Sequence, residues 1–344
     1  MRRRQVLRLI QTASALAVVA ALTSACTLAV TGNALGSEVD QGSATSYRSQ
    51  IVDDVGPPGT AAKMLGAFDR YRQYDPCGFL DEAAINAVGV PAHFGNSYRS
   101  ISECEVDFAP AATPKGINRI TASVEQTIGA DKSIQIAGHT GTEHPGLRCA
   151  ISLPIVPLVS EVSVALVYTI HSKQDACAEL EAIANASVPH LDPPMPRTPS
   201  GRSPLTKAAK LDPCAALGMF VPGHKFQPGN MQMYSCDVSL DKRDSTDSTR
   251  QVIDFRYISR KSARGDMMPG SHAVTIDGVP GSQQDDDPSN NNYCTIDAFV
   301  GMENPVPGYS DGPLQLIDDI RVSGQHCATL MATAITAVKA YKAG

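Results

Sequence analysis

The clearest pattern along the chain is an alternation of apolar and polar residues, which is the period of a half-buried strand. It is strictest at residues 162–170 and recurs at 103–108, 149–153, 236–240, 253–257 and 294–298. Residues 117–124 are also predicted to be a strand. Helical spacing of apolar residues instead marks 60–71, 177–188 and 327–341. The two periods together predict an α+β protein with mostly antiparallel sheets.

The tripeptide Asp-Pro-Cys occurs twice, at residues 75–77 and 212–214. Aspartate is a favoured N-cap, and proline is tolerated at the first helical position because its missing N–H would be unpaired there. Each tripeptide therefore predicts a helix start that carries a cysteine in its first turn. A second cap is predicted at Asp81, for a helix over 82–88 that stops at Gly89.

The cysteines repeat the same order of elements after each tripeptide. Both sets run from a helix start through two strands to a closing helix, and they are Cys77, Cys104, Cys149 and Cys177, then Cys214, Cys236, Cys294 and Cys327. This order predicts two tandem copies of one α+β domain, each with a mostly antiparallel sheet flanked by N- and C-terminal helices. The predicted copies cover 60–188 and 211–344. Six prolines between Pro189 and Pro204 predict an extended linker over 189–210, without regular elements.

The first 25 residues resemble a secretion signal, with four arginines, no acidic residue and a short apolar run. The run is too short for a permanent transmembrane helix. Small residues then lead directly to Cys26, as in a bacterial lipoprotein cleavage site, where the cysteine becomes diacylated. An ordinary secretion signal is the alternative. Residues 26–59 are rich in small and polar residues and predict a disordered tether.

Export places the other eight cysteines in an oxidising environment, where an even set indicates disulfides. Four cysteines allow three pairings, and the sequence alone does not choose among them. We expect sequential pairing, because each bond would then pin a helix to its sheet. The expected pairs are Cys77 with Cys104, Cys149 with Cys177, Cys214 with Cys236, and Cys294 with Cys327. No Cys-x-x-Cys occurs, which disfavours zinc or redox roles.

The lipoprotein cleavage site, the tether and the paired Asp-Pro-Cys units resemble a family of envelope lipoproteins from mycobacteria and other actinobacteria, whose domain has no assigned function. More distantly, the cysteine pattern is similar to the extracellular sensor domains of mycobacterial receptor kinases. The resemblance covers nearly the whole mature chain. It implies location on the outer face of the cell membrane, disulfides, and binding of a ligand or partner. It implies no catalytic residues.

Charge narrows the partners further. The chain has 29 basic and 35 acidic residues, and four of the basic ones lie in the predicted signal. An acidic mature chain argues against nucleic acid and against electrostatic docking on an anionic membrane. Attachment to the membrane would therefore come from acyl chains on Cys26. We expect no cofactor.

Candidate catalytic chemistry is limited to one weak motif. Residues 308–312 fit Gly-x-Ser-x-Gly around Ser310, and Asp318 or Asp319 followed by His326 gives the order of α/β-hydrolases. Prolines surround the motif, whereas a nucleophile elbow needs a strand before the serine and a helix after it. We therefore expect no catalytic residue here.

Two candidate metal sites are also weak. His139, Glu143 and His144 lack the spacing that puts two imidazoles on one helical face, so a solvated turn is expected. The polar stretch 283–292 contains Asp285, Asp286 and Asp287, which lack the alternate spacing of a calcium loop. We interpret it as an acidic surface loop and expect no metal.

The sequence thus predicts a non-enzymatic envelope lipoprotein that binds an unknown envelope protein or a lipidic ligand, in or across the groove between its domains. One alternative is an envelope lipid carrier, with 162–170 and 330–338 as the walls of its cavity. Core packing explains the same stripes more simply, because alternating apolar residues need no ligand. The other, weaker alternative is a serine hydrolase that uses Ser310.

Overall fold

A computed structural model describes residues 59–98, 100–128, 132–159, 162–219, 226–240, 250–264, 270–287, 293–308 and 314–344. All of these residues belong to one compact unit. The predicted signal, Cys26, the tether up to residue 58 and Ser310 lie outside the described residues. The class is α+β, with two antiparallel sheets.

Seven strands form the first sheet, and every neighbouring pair is antiparallel. They are β1 (His93–Asn96), β2 (Glu103–Asp107), β3 (Arg119–Ile128), β4 (Lys132–Ile136), β5 (His139–His144), β6 (Arg148–Val159) and β7 (Val162–His171). Helices α1 (Thr60–Arg72) and α2 (Glu82–Val88) precede the strands, and α3 (Cys177–Ser187) follows them. Both α1 and α3 pack against β6.

Eight strands form the second sheet, which is also antiparallel. They are β8 (Phe226–Pro228), β9 (Ser235–Leu240), β10 (Arg250–Ser259), β11 (Ser271–Ile276), β12 (Val279–Asp287), β13 (Tyr293–Ala298), β14 (Val306–Pro307) and β15 (Gln315–Gln325). The helices of this half are α4 (Lys207–Lys210), α5 (Arg260–Arg264) and α6 (Cys327–Ala343). Helix α6 packs on β13 and β15.

The strand orders of the two sheets correspond. The first sheet runs β1-β2-β3-β7-β6-β5-β4, and the second runs β8-β9-β10-β15-β13-β12-β11, with β14 paired to β15 as an addition. The cysteines occupy matching registers, since Cys104 pairs with Ala122 of β3 and Cys236 pairs with Ile253 of β10.

Sequential pairing of the cysteines is the arrangement that the structure shows. The four bonded pairs are Cys77–Cys104, Cys149–Cys177, Cys214–Cys236 and Cys294–Cys327, with Cα atoms 4.8 to 5.4 Å apart. No bond among them crosses the segment 189–204. Each one ties a helical element to a strand, because Cys77 and Cys214 lie in 3₁₀ turns and Cys177 and Cys327 begin helices α3 and α6.

The segment 189–204 departs from its prediction. It was expected to contain no regular element, but Val188–Leu191 forms a 3₁₀ turn, in which Pro189 is the second residue and its fixed φ suits the first turn of a helix. Pro196 pairs with Tyr74 in a β-bridge, and Arg197 and Ser203 are buried. Helix α4 also falls within the predicted linker. The domain boundaries at 188 and 211 stay a prediction.

Several strands were not predicted, namely β1, β4, β5, β8, β11, β12, β14 and β15. Two hairpins account for four of them. Strands β4 and β5 are joined at Ala137-Gly138, and β11 and β12 at Asp277-Gly278, with all four residues at positive φ. This is the backbone of a two-residue hairpin turn, for which Asp-Gly is a strong sequence signature. Their edge strands are polar and short, so the alternation was weak.

Candidate functional site

A buried arginine joins the two halves of the described chain. Arg72 closes helix α1, and its side chain is only 5% exposed. Its Nε donates to the carbonyl oxygen of Met233 at 3.0 Å, and its Nη2 lies 3.3 Å from Oδ1 of Asp212. A buried guanidinium needs such partners for its donors. The first helix is therefore fixed to the second Asp-Pro-Cys turn.

A second arginine reinforces this junction from the segment between the sheets. Arg197 Nη2 donates to the carbonyl oxygen of Ile101 at 2.8 Å, which binds the segment to the first half. The guanidinium carbons of Arg197 and Arg72 each lie 5.9 Å from the ring centre of Tyr234 in the second half. Both distances fall within the range of cation–π attraction. The Tyr234 hydroxyl in turn donates to the carbonyl oxygen of Ala209.

The two Asp-Pro-Cys aspartates have matching positions. Asp75 Oδ1 accepts from the N–H of Cys77 at 2.9 Å, and Asp212 Oδ1 accepts from that of Cys214 at 3.0 Å. This confirms the predicted capping. The other oxygen of Asp75 accepts from the N–H of Ser203 at 3.4 Å, while Asp212 pairs with Arg72. Each motif therefore starts a turn and also holds the junction.

An open cleft lies at the start of α1, between residues of the first half and residues of the second. It has a volume of about 370 Å³ when the space open to solvent is included. No charged residue lines it; the lining residues are Thr60, Ala61, Met64, Gln126, Leu158, Val162, Pro228 and Gly229. They come from α1, from the ends of β3, β6 and β7, and from the end of β8. An uncharged cleft of this kind suits an apolar group.

Strand β6 gives the cleft its apolar wall. Residues 149–160 contain no charged side chain. The pairing of β6 with β7 shifts register between Pro154 and Val156 and again between Pro157 and Val159. Such bulges bend a strand and turn its side chains out of the regular alternation. Both prolines are exposed, and Leu158 is partly exposed at the cleft.

The polar faces of the sheets hold buried charges that the sequence reasoning missed. In the first sheet, Arg119 Nε donates to Asp107 at 2.8 Å, and its Nη2 lies 3.2 Å from Glu105. Burial and the nearby Asp107 charge raise the pKa of Glu105 to about 7. Arg119 of β3 lies directly opposite Asp107 of β2, and Glu105 lies two residues from Asp107 on the same face. Opposite charges at facing positions of two strands form such cross-strand pairs.

A larger network occupies the second sheet. Asp297 accepts two hydrogen bonds from Arg321, at 2.8 and 3.0 Å, and one from Arg256 at 3.0 Å. Arg256 Nε also donates to Asp319, at 2.7 Å. Asp319 is fully buried, and burial together with the Asp297 charge raises its pKa to about 7. Because each guanidinium in this network is paired with a carboxylate, we interpret the network as stabilising the sheet and not as a binding site.

Of the residues suggested for a hydrolase, the structure describes Asp318, Asp319 and His326. Ser310 lies outside the described residues, so the Gly-x-Ser-x-Gly prediction is not tested. Asp318 and Asp319 point to opposite sides of β15, since Asp318 Oδ2 accepts from the Tyr341 hydroxyl at 3.0 Å while Asp319 holds Arg256. His326 precedes helix α6 at positive φ.

The histidine stretch is a strand, and the expectation of a solvated turn was wrong. His139 and His144 are the two ends of β5, where an odd spacing puts them on opposite faces. Glu143 is buried and lies 3.1 Å from Lys132 Nζ across the β4–β5 pair. The turn at Ala137-Gly138 pairs this stretch with β4, and the pairing makes it a strand instead of the expected turn.

The acidic stretch 283–292 was expected to be a loop, but β12 continues through Asp287. Pairing with β13 extends to Asp287 and Tyr293 across an irregularity after Gln284, and this pairing overrides the polar composition. Residues 288–292 lie outside the described ones. Within the described ranges, no group of three His, Cys, Asp or Glu residues is placed to hold a metal ion.

No helix in the part of the chain that the structure describes is long and apolar enough to cross a membrane. Comparison of the chain with protein-family models, with curated proteins and with solved structures gave no match.

Proposed function

We propose that this protein is a lipid-anchored envelope lipoprotein, acylated at Cys26, that acts as a non-enzymatic binding module for a protein or lipidic ligand. The observation that carries this proposal is the uncharged cleft at the junction of the two halves. Clefts that combine apolar walls with few polar groups are typical ligand sites. The buried contacts of Arg72 and Arg197 join the two halves whose residues line the cleft.

A duplication of one domain supports the link to the envelope lipoproteins that the Asp-Pro-Cys units resemble. The two sheets have corresponding strand orders, and each half carries two bonds between cysteines that follow each other in the chain. Small extracytoplasmic domains use disulfides in this way. On this proposal the halves are tandem copies, and the additional strand β14 is specific to the second copy.

The size of the cleft favours a binding module over a lipid carrier. Its volume of about 370 Å³ includes open solvent, and the centre of a water-sized molecule can occupy only about 30 Å³ of it, so it accommodates a small apolar group and not a complete lipid. The stripes considered as carrier walls are largely core: Leu166, Tyr168 and Ile170 are buried in the first half, and Leu330 and Val338 in the second. Of the two stripes, only Val162 lines the cleft.

Mass spectrometry of the natively purified full chain tests this proposal. Lipids extracted from it and proteins that copurify with it would be identified for the wild type, for Val162→Glu in the cleft, and for Lys339→Glu on the exposed side of α6 as the matched control. We expect a ligand or partner that is lost with Val162→Glu and kept with Lys339→Glu. Retention by both variants would contradict the cleft as its site, and stoichiometric bound lipid would favour the carrier.

A further inference from the structure

The distal part of the β6–β7 hairpin is an apolar arm next to the cleft. The arm is defined as residues 153–159 and 162. Pro154 and Pro157 are exposed, and Val162 is partly exposed. Ile155, Val156 and Leu158 pack against the core on one side and are partly exposed on the other. The arm contains no charged residue. A protein surface usually covers such a stretch or uses it for contact.

The chain enters the described structure beside this arm. Thr60 and Ala61, the first two residues of α1, line the same cleft as Leu158 and Val162 of the arm. The predicted tether, residues 26–59, therefore joins the protein at the side where the arm lies. An acyl anchor at Cys26 would hold that side within reach of the bilayer.

We propose that the arm contacts the surface of the bilayer to which the protein is anchored. The inference rests on the proposed acylation of Cys26. It makes the lipid surface the binding partner of the arm, whose residues Leu158 and Val162 also line the cleft. The contact is hydrophobic, because the arm is uncharged and the chain as a whole is acidic. It should therefore form on zwitterionic lipid and resist salt, unlike a basic surface patch.

Contact between the arm and the bilayer is expected to be weak without the anchor. Each buried methylene contributes about 0.8 kcal/mol, and only part of each side chain is available. The anchor changes the balance, since a tethered site meets its partner at an effective concentration that reaches about millimolar for short flexible linkers. Tether and arm together would keep the first sheet close to the membrane.

Tryptophan fluorescence gives a direct test, because the chain contains no tryptophan. Pro157→Trp places the reporter in the exposed part of the arm, Pro154→Trp is a second arm variant, and Lys339→Trp on exposed α6 is the matched control. The acylated full-length products are incorporated into phosphatidylcholine vesicles with and without bromine on the acyl chains. Flotation of the vesicles verifies that each variant is anchored.

We expect blue-shifted emission and at least twofold quenching by brominated lipid for either arm variant, unchanged in high salt, with little quenching of Trp in the Lys339→Trp control. Flotation with equally weak quenching in all three would overturn the contact and leave the anchor standing. Variants that do not float would overturn the anchor and this inference with it. A protein partner as the true occupant of the arm would also leave both arm reporters unquenched.

Discussion

Arg72 and Met233 lie 161 residues apart in the chain, yet Arg72 Nε donates to the carbonyl oxygen of Met233 at 3.0 Å. The contact links the last residue of α1, in the first half, to a turn of the second half, while the cleft lies at the start of the same helix. A backbone carbonyl fixes the guanidinium more rigidly than a mobile side chain would. The cleft is lined by residues of both halves, such as Met64 and Val162 from the first and Pro228 from the second, so its shape depends on how the halves pack.

Replacing Arg72 by Ala should destabilise the protein by about 2 kcal/mol, the range for hydrogen bonds that involve a charged group and leave a buried acceptor unpaired. Chemical denaturation measures this change. Arg70→Ala is the matched control, since Arg70 is exposed on the same helix. Equal stability of the two variants would show that the Arg72 contacts do not hold the halves together.

Much of the fold follows from the local patterns of the sequence. Asp81 caps the helix predicted at 82–88, and Cys327 begins the predicted last helix, because capping and helical spacing are properties of adjacent residues. The expectation that each bond pins a helix to its sheet led to the pairing that the structure shows. The contacts of Arg72 and Arg197 could not be predicted, because they join residues far apart in the chain and depend on how the halves pack.

Replacing both cysteines of one disulfide should lower the free energy of unfolding by about 3 kcal/mol on the chain-entropy model. The value should be similar for all four bonds, because the loops that they close are of similar length, 22 to 33 residues. Cys77→Ala with Cys104→Ala tests the first half, and Cys214→Ala with Cys236→Ala tests the corresponding bond of the second. Denaturation under non-reducing conditions measures both. A loss well below 1 kcal/mol in either would contradict a structural role for that bond.

Acid should stabilise the protein over part of the pH range. Burial raises the pKa of Glu105 and of Asp319 to about 7 in the folded state, above the ordinary range of these groups. The folded chain then binds more protons than the unfolded chain at pH 5 to 7. The contribution of these two carboxyls to the free energy of unfolding is therefore complete in acid and is lost as the pH rises through 7.

Thermal melts at pH 5, 6, 7 and 8 follow this effect. We expect the melting temperature to fall over this range in the wild type and to fall less in Glu105→Gln, which cannot ionise. The matched control is Glu82→Gln, on the first turn of α2, where Glu82 is exposed. A wild-type melting temperature that rises from pH 5 to 8 would contradict raised pKa values at these two carboxyls.

At the Asp75 cap, asparagine should cost less stability than alanine. Asp75→Ala removes the acceptor of the Cys77 and Ser203 N–H groups and should cost about 1 to 2 kcal/mol, whereas Asn keeps an oxygen for the cap. Denaturation of both variants measures the difference. Equal losses would show that the negative charge of Asp75, and not its capping geometry, matters.

The candidate site was less predictable than the fold. A groove between the halves was expected, but its walls were not: the bulges at Pro154 and Pro157 re-orient β6, and no alternation pattern shows them. Gly229 and Pro228 reach the cleft only because the second sheet packs beside α1. Such placements follow from tertiary contacts and not from local spacing.

The most direct test of the binding role is photo-crosslinking in the producing cells. A benzophenone amino acid would replace Leu158 in the cleft or, as the control, Lys339 on exposed α6, in the otherwise intact acylated chain. We predict a discrete adduct with one protein or lipid species from position 158 that is absent from position 339. The same adducts from both positions, or none from position 158, would contradict a binding site in the cleft.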